Sequence, residues 1–455
     1  MFTTYTYQDW QASPDKPSLL LEIIRAYKSS PDFQTALEAS DYFASRNREV
    51  SQKTTLRAVT YTLRDSGGRA RKHIRQEAVA GTRIPSNFFY RFVTQQNQFL
   101  LGNGVTLADP AMKARLGPGF DTALQIAGEG ALIQGVSWGY WNADHLEVIA
   151  AARDPLSGFV ALFDERDGEP RLGAQFWQVD VTRPLYIRLF ELDGVTLYRA
   201  ADNALEIAEE KRPYRLTVLT DGAGSAVIGG ENYASLPLVP LWANVGRRSE
   251  LTPALKAKID AYDRILSDYG DNLEQANDVY WVLNNFGGTV DDVAGMLEQI
   301  RRLKVISNIS DGTSASTAEP HAFEVPYAAR QTALEILRRE LYADAMALDM
   351  NEIAGSSLTN VAINAAFSNL NLKCDRFEWQ VFAFVQSILK LIGLTTERIS
   401  FVRRSVVNNS EIVADIAAMR ADIDRKTALE LNPYIDQDRI EAIMAGAAVE
   451  NGGKG

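Results

Sequence analysis

Residues that commonly carry chemistry are sparse in this chain. Its 455 residues include one cysteine and three histidines. A zinc site needs Cys and His at short fixed spacings. His73, His145 and His321 are scattered, and none is near Cys374. No metal site is expected, and one cysteine excludes an internal disulfide framework, which fits reducing surroundings. Cys374 falls on an apolar stripe, where a thiol behaves as a small hydrophobe. One Gly-x-Ser-x-Gly occurs, at Gly135-Val136-Ser137-Trp138-Gly139. A nucleophile elbow needs a strand, a sharp turn at the serine, then a helix. Ala131–Trp141 reads as strand with no helical pattern after it, so the motif counts as a chance match. Gly-x-x-x-x-Gly-Lys-Ser/Thr, His-Glu-x-x-His, Cys-x-x-Cys and Gly-x-Gly-x-x-Gly do not occur. Asp291-Asp292 sits at an expected helix start, where carboxylates serve the helix dipole. The expectation is a non-enzyme with no catalytic residues, no cofactor and no metal.

Charge narrows the partners. The formal net charge is −11, and broad wrapping of nucleic acid needs clustered Lys and Arg instead. One local exception is Arg64, Arg69, Arg71, Lys72 and Arg75 around Gly67-Gly68. It reads as a solvated loop and helix face, with a phosphate or partner contact as the alternative. No run reaches the ~18 apolar residues of a membrane span; Phe382–Leu394 is broken by Gln386, Ser387 and Lys390. The N-terminus lacks a basic stretch followed by an apolar one. A soluble chain with no targeting segment and no membrane contact is expected.

The elements that must position any functional surface are long helices. Leu334, Leu337, Leu341, Ala345 and Leu348 recur at steps of three and four, the period of one helix face. A break follows at Asp349-Met350-Asn351-Glu352-Ile353-Ala354-Gly355-Ser356-Ser357. The stripe resumes as Ile363, Phe367, Leu370, Cys374, Phe377, Val381, Phe384, Ile388 and Leu391. Thr359–Ile392 predicts roughly 50 Å of helix, which needs neighbours along its length, from its own chain or from other subunits. A second stripe runs through Leu251, Leu255, Ile259, Tyr262, Leu266, Tyr269, Leu273 and Ala276. Asp260, Asp263, Asp268, Asp271 and Glu274 fall on its other face, against Lys256, Lys258 and Arg264.

Between these helices lies a compact insert. It reads as strand Val279–Leu283, a Gly287-Gly288 turn, helix Asp291–Leu303, strand Lys304–Ile309, loop Asp311–Ala318 and strand His321–Val325. The flanking helices are therefore expected to run antiparallel, with the insert at their far end. Upstream, Ala131–Ile228 alternates β-rich runs with Asp167-Gly168, Asp193-Gly194 and Asp221-Gly222, the signal of antiparallel hairpins. Leu236–Trp242 reads as a proline-braced extended link. Downstream, Ile399–Val407 alternates like a strand, Ser410 and Asp424 can cap helices, and Asp436 starts a last one. The class is α+β. The length predicts roughly two to four domains, and the 46% hydrophobic content is ample for their cores.

Several of these motifs, in this order, resemble the portal proteins of tailed bacteriophages of the long-tailed, siphovirus type. Ile84-Pro85-Ser86-Asn87-Phe88-Phe89 through Phe99-Leu100-Leu101-Gly102-Asn103-Gly104-Val105 is similar to the family's Asn-containing helix and its close. Leu236-Pro237-Leu238-Val239-Pro240 resembles the approach to the stem. Ile259-Asp260-Ala261-Tyr262-Asp263 with Ser267 resembles the first stem helix. Asn409-Ser410-Glu411-Ile412, Thr427-Ala428 and Asn432-Pro433 resemble the C-terminal part.

The resemblance implies a portal-type α+β fold assembled as a ring of about twelve subunits at one capsid vertex. It implies an N-terminal segment 1–29, a wing 30–250 to which 394–407 returns, stem helices 251–277 and 327–348, and a clip 278–326. It implies a tunnel loop 349–358, a long channel helix 359–393, a crown 408–449 and a tail 450–455. Double-stranded DNA would pass the tunnel loop, Asp349, Met350, Asn351, Glu352, Ile353, Ala354, Gly355, Ser356 and Ser357, which holds no Lys or Arg. Asp349 and Glu352 would form acidic rings. Arg301, Arg302, Lys304, Asp311, Gly312, Thr313 and Ser314 in the clip would dock partners. Those implied are the large subunit of the packaging terminase and the head–tail adaptor, with the major capsid protein and scaffold around the ring. The protein would be a virion component assembled in the host cytoplasm. Rival readings are a helical scaffold or adaptor that binds only protein, and a hydrolase or nuclease with an unrecognised site.

Overall fold

The computed structural model describes residues 3–64, 70–201, 204–221, 224–276, 280–284, 317–321, 327–353, 360–395, 398–403, 409–420, 423–435, 440 and 444. Helices combine with sheets whose strand pairs are all antiparallel among the described residues, an α+β architecture. The chain divides into two compact units. One comprises Met1–Ser40, Arg91–Leu251 and Tyr342–Gly455; the other comprises Asp41–Tyr90 and Thr252–Leu341.

The first unit is built on a six-stranded meander of Ala152–Asp154, Ser157–Phe163, Pro170–Trp177, Leu185–Glu191, Gly194–Ala201 and Ala204–Arg212, adjacent in chain order. Two of the predicted Asp-Gly turns connect its strands. Gly168 and Gly194 have φ of +69° and +142°, backbone that glycine adopts without a Cβ penalty. The third falls between Arg215–Asp221 and Gly224–Glu231, which pair with each other as a separate hairpin.

One face of the meander is covered by helices Lys16–Lys28 and Pro31–Phe43. Leu20, Ile23, Ile24, Tyr27 and Phe33 are buried there with Leu162, Leu172, Phe176, Ile187 and Leu189. Trp10, in the stretch expected as an N-terminal segment, joins the same core. The other face meets a three-stranded sheet of Val136–Asn142, His145–Ala150 and Leu238–Trp242. Its ring contacts include Trp138 with Phe159 at 4.8 Å and Tyr140 with Phe190 at 5.0 Å. The extended link expected at Leu236–Trp242 is thus an edge strand of this sheet, which is where a strand can hold a proline such as Pro240.

Helix Asn360–Leu391, 32 residues, presents the predicted stripe. Ile363, Phe367, Leu370, Cys374, Phe377, Val381, Phe384 and Ile388 are all buried. Their neighbours are in the same unit: Phe367 stacks on Phe99 at 5.6 Å, and the Cys374 thiol lies 3.8 Å from the Gln96 carbonyl. The stripe is therefore covered by its own chain, and its length alone does not require a sister subunit. Strand Ile399–Phe401 pairs with Val105–Leu107. Arg403 then ties the chain back to the helix through Asn371, Asp375 and Glu378.

In the second unit, Thr54–Arg64 and Ala70–Ala80 form a hairpin of eleven paired rows. The sequence suggested a loop and helix face here, because alternating charged residues give no apolar period. Helix Pro253–Ala276 contacts helix Tyr327–Asp344 through Lys258–Glu340 at 3.2 Å and Tyr269–Tyr327 at 5.9 Å. The residue numbers rise on one helix as they fall on the other, so the pair is antiparallel. Strands Tyr280–Asn284 and Thr317–His321 pair at the base of the insert. The second strand starts four residues before its predicted position. The expected strand Lys304–Ile309 and helix Asp291–Leu303 lie outside the described residues.

Candidate functional site

The expected tunnel loop begins on a braced helix end. Helix Tyr327–Asp344 closes through Met346, whose φ is +50°. Leu348 then exchanges two bonds with one side chain: its N–H donates to Gln95 Oε1 at 2.9 Å, and Gln95 Nε2 donates to its carbonyl at 3.0 Å. Lys373 Nζ donates to the Ala345 carbonyl at 3.0 Å. Asp349 Oδ1 accepts from Asn351 N–H at 3.0 Å, and Met350–Ile353 forms one helical turn. The first part of the expected loop is therefore helical. Met350 and Asn351 are exposed and Asp349 is half-buried. Glu352 and Ile353 belong to the turn by backbone. Ala354, Gly355, Ser356 and Ser357 lie outside the described residues, as do all the clip candidates: Arg301, Arg302, Lys304, Asp311, Gly312, Thr313 and Ser314.

The residues that could have suggested an enzyme have structural work. Ser137 lies in a strand that follows a helix, the reverse of a nucleophile elbow. Helix Phe120–Gln134 takes in the first four residues of the stretch read as strand, Ala131–Gln134, and stops at Gly135, whose φ is +88°. Gly139 faces Phe384; a Cβ there would sit 2.5 Å from the ring. Both glycines are thus explained by a helix stop and a close approach. Ser137 is 1% exposed, and its Oγ has no hydrogen-bond partner. Burial pushes the Cys374 thiol up to about 12, so it is no thiolate nucleophile. His145 is exposed in a hairpin turn; a hydrogen bond to Asp144, with Glu147 nearby, raises its pKa. Among the described residues no group of His, Cys, Asp or Glu is arranged to hold a metal. None of the described helices is long and apolar enough to cross a membrane.

Sequence reasoning placed the acids of helix Pro253–Ala276 on the face opposite its apolar stripe, against Lys256, Lys258 and Arg264. The structure instead buries Asp260, Asp263, Ser267 and Asp271, at 7, 0, 0 and 8% exposure. Asp263, Ser267 and Asp271 are four residues apart and hold an extended strap. Thr82 N–H donates to Asp271 Oδ1 at 2.6 Å, Ile84 N–H to Ser267 Oγ at 3.0 Å, and Ser86 N–H to Asp263 Oδ1 at 2.9 Å. Two strand residues advance ~6.6 Å and four helix residues ~6.0 Å, so the two periods match. Asn47 Nδ2 donates to the other Asp263 oxygen, Tyr42 O–H to Asp260, and Lys53 Nζ bridges Asp268 and Asp271. Burial raises the Asp263 carboxyl above its usual range, and the bonds from Asn47 and Ser86 only partly oppose this. Burial acts the same way on Asp271, but the bonds from Lys53 and Thr82 outweigh it and hold this carboxyl low. The one sequence signal was the Ile259–Asp263 and Ser267 pattern, of which Asp263 and Ser267 are strap acceptors.

Comparison with known proteins gives these elements a lineage. The chain is 27% identical to the portal protein of Clostridium phage phiCD119 over 212 residues, and 26% identical to the portal protein of Bacillus phage SPP1 over 237 residues. The matched stretches cover 45% and 48% of this chain and 46% and 44% of those proteins. The chain thus spans about half the length of the curated relatives it matches. The pattern that defines "Phage portal protein, SPP1 Gp6-like" matches residues 32–451, so the chain belongs to that family.

Proposed function

We propose that this protein is the portal ring of a tailed bacteriophage, a virion component that conducts double-stranded DNA during packaging and ejection. Family membership carries the reading. The protein is structural in this view, and ATP hydrolysis belongs to a separate motor. About twelve copies close the ring. The terminase large subunit and then the head–tail adaptor dock on the clip, residues 278–326, through Arg301, Arg302, Lys304 and Asp311–Ser314. The major capsid protein and scaffold surround the ring, and assembly takes place in the host cytoplasm.

Other observations support parts of this layout. The antiparallel pair of helices Pro253–Ala276 and Tyr327–Asp344 suits stem helices at 251–277 and 327–348. Along the first of them Leu255 and Ile259 are buried, while Leu273 is 43% exposed, which leaves apolar surface for a neighbour. On helix Asn360–Leu391, Leu372 and Trp379 are 56% and 71% exposed on the side away from the buried stripe. The pairing of Ile399–Phe401 with Val105–Leu107 suits a return of 394–407 to the wing. The tunnel loop 349–358 meets DNA by shape and backbone polarity, with Asp349 and Glu352 as acidic rings. An acidic wall lets a duplex slide, where dense Lys and Arg would hold it. The crown is 408–449.

Electron microscopy of the purified protein tests the ring: an axial opening wide enough for a duplex is expected, and discrete dimers without an opening would sink the reading. The Asp349→Lys, Glu352→Lys variant should assemble normally and package more slowly. An unchanged packaging rate would remove these two residues from the channel lining.

A further inference from the structure

The basic run around Gly67-Gly68 lies in the hairpin of Thr54–Arg64 and Ala70–Ala80, whose two strands pair only with each other. Among the described residues of its unit, no other helix or strand packs along this ribbon. Its base is nevertheless fixed. The Asp271 carboxylate takes both ends: Lys53 Nζ, just before the hairpin, donates to Oδ2 at 2.6 Å, and the Thr82 N–H, just after it, donates to Oδ1 at 2.6 Å. The Arg83 guanidinium donates twice to the Lys53 carbonyl, at 3.2 and 3.1 Å. The ribbon is thus an arm with a preset root, which reduces the ordering cost of docking it.

An isolated two-stranded ribbon is marginal in water and needs a further surface to pack on. Alternate rows share a face. One face carries Val59 with Arg75, Tyr61 with His73 and Leu63 with Arg71. The other carries Leu56 with Ala78, Thr60 with Ile74 and Thr62 with Lys72. Each face therefore mixes apolar and cationic positions. From Thr54 to Ala80 there are six Arg or Lys against two Asp or Glu, in a chain whose net charge is −11. Duplex phosphates would match the cations but leave Val59, Tyr61 and Leu63 in water. A protein surface that is acidic and partly apolar matches both, and the remainder of this chain is more acidic than the whole.

The size fits as well. Eleven rows at ~3.3 Å, across strands ~4.8 Å apart, give roughly 350 Å² a face. Covering both faces buries roughly 700 Å², close to the ~800 Å² that each partner gives to a standard interface. We propose that this ribbon is an assembly arm that packs on an acidic face of a second copy. The inference rests on the ring reading above and adds a subunit contact to it.

The test uses the full chain, read by sedimentation over a range of protein and salt concentrations. Arg71→Glu with Arg75→Glu should raise the concentration of half-assembly about tenfold, and less so at high salt. Tyr61→Ser with Leu63→Ser should raise it similarly at every salt concentration. The Arg71→Gln, Arg75→Gln variant guards against misfolding and should weaken assembly less, with an unchanged melting temperature. In rings built from a mixture of plain and isotope-labelled subunits, zero-length amine–carboxyl crosslinking should join Lys72 to an Asp or Glu of the opposite label. Links of Lys72 confined to one label overturn the contact, as does unchanged assembly in the charge reversal, and both leave the ring in place. A reversal that assembles normally but loses binding of a duplex oligonucleotide assigns the ribbon to DNA and also overturns the contact. A wild-type chain that never assembles overturns the ring, and the contact with it.

Discussion

Ser137 carries a buried hydroxyl with nothing to bond to. Removing such a group relieves its desolvation cost. Ser137→Ala is therefore expected to leave stability unchanged or raise it by up to ~1 kcal/mol, read from denaturant midpoints. Two residues on, Gly139→Ala would press a methyl into the Phe384 ring and should cost ~1–3 kcal/mol; pairing it with Phe384→Leu should recover part of the loss. Asp263 shows the opposite case. Asp263→Ala strands the Ser86 N–H and removes one of the two acceptors of the Asn47 amide, which keeps the Ser86 carbonyl, and a loss of ~2–4 kcal/mol is expected. Asp263→Asn should cost less than half as much. It keeps one acceptor, and the Asn47 Oδ1, which has no partner, can turn to accept from the new amide.

The strap and the helix Pro253–Ala276 act as one element, and its acids respond to pH in opposite senses. The Asp271 carboxyl is held below its ordinary value, ~3.9. Its contribution is present above that pH and is lost as pH falls through the folded value. The Asp263 carboxyl is raised, so folding is favoured while it is protonated and the benefit is lost as pH rises through the folded value. Urea midpoints from about pH 3 to 6 should show both. Asp271→Asn should flatten the fall below about pH 4, and Asp263→Asn should flatten the fall just above it. Matching slopes in all three proteins would mean that neither carboxyl is perturbed. The strap was only faintly legible in the sequence: an acid on a helix reads as a solvent residue unless its partners are known. Its partners here are backbone N–H groups about 180 residues away in the chain.

For the whole molecule, the residues left uncovered matter more than the length of the rods. Because the stripe of helix Asn360–Leu391 is filled from within its unit, the proposed ring would have to draw on other surfaces, and Trp379 is the largest exposed side chain among the described residues of that helix. Trp379→Ala should change subunit stability by no more than about 0.5 kcal/mol, as at an exposed site. It should also raise the concentration of half-assembly by at least about tenfold, as loss of an interface tryptophan does. Sedimentation and thermal melting on one preparation separate the two effects. Equal assembly of the variant would place Trp379 outside the subunit contact.

By itself the sequence determined the α+β class, the Asp-Gly turns at Gly168 and Gly194, the buried stripe of the long helix and the family. Each is written in local spacing: period two for strands, steps of three and four for helices, positive φ at glycines, and motifs in a fixed order. The tertiary structure decided the rest. It turned Leu236–Trp242 into a sheet edge and the basic run near Gly67 into a hairpin. It also buried the acids of helix Pro253–Ala276 and covered the long stripe without a sister chain. Those outcomes depend on which distant segment arrives at each face, and a side chain's burial or ionisation follows from that neighbour rather than from its own position in the chain.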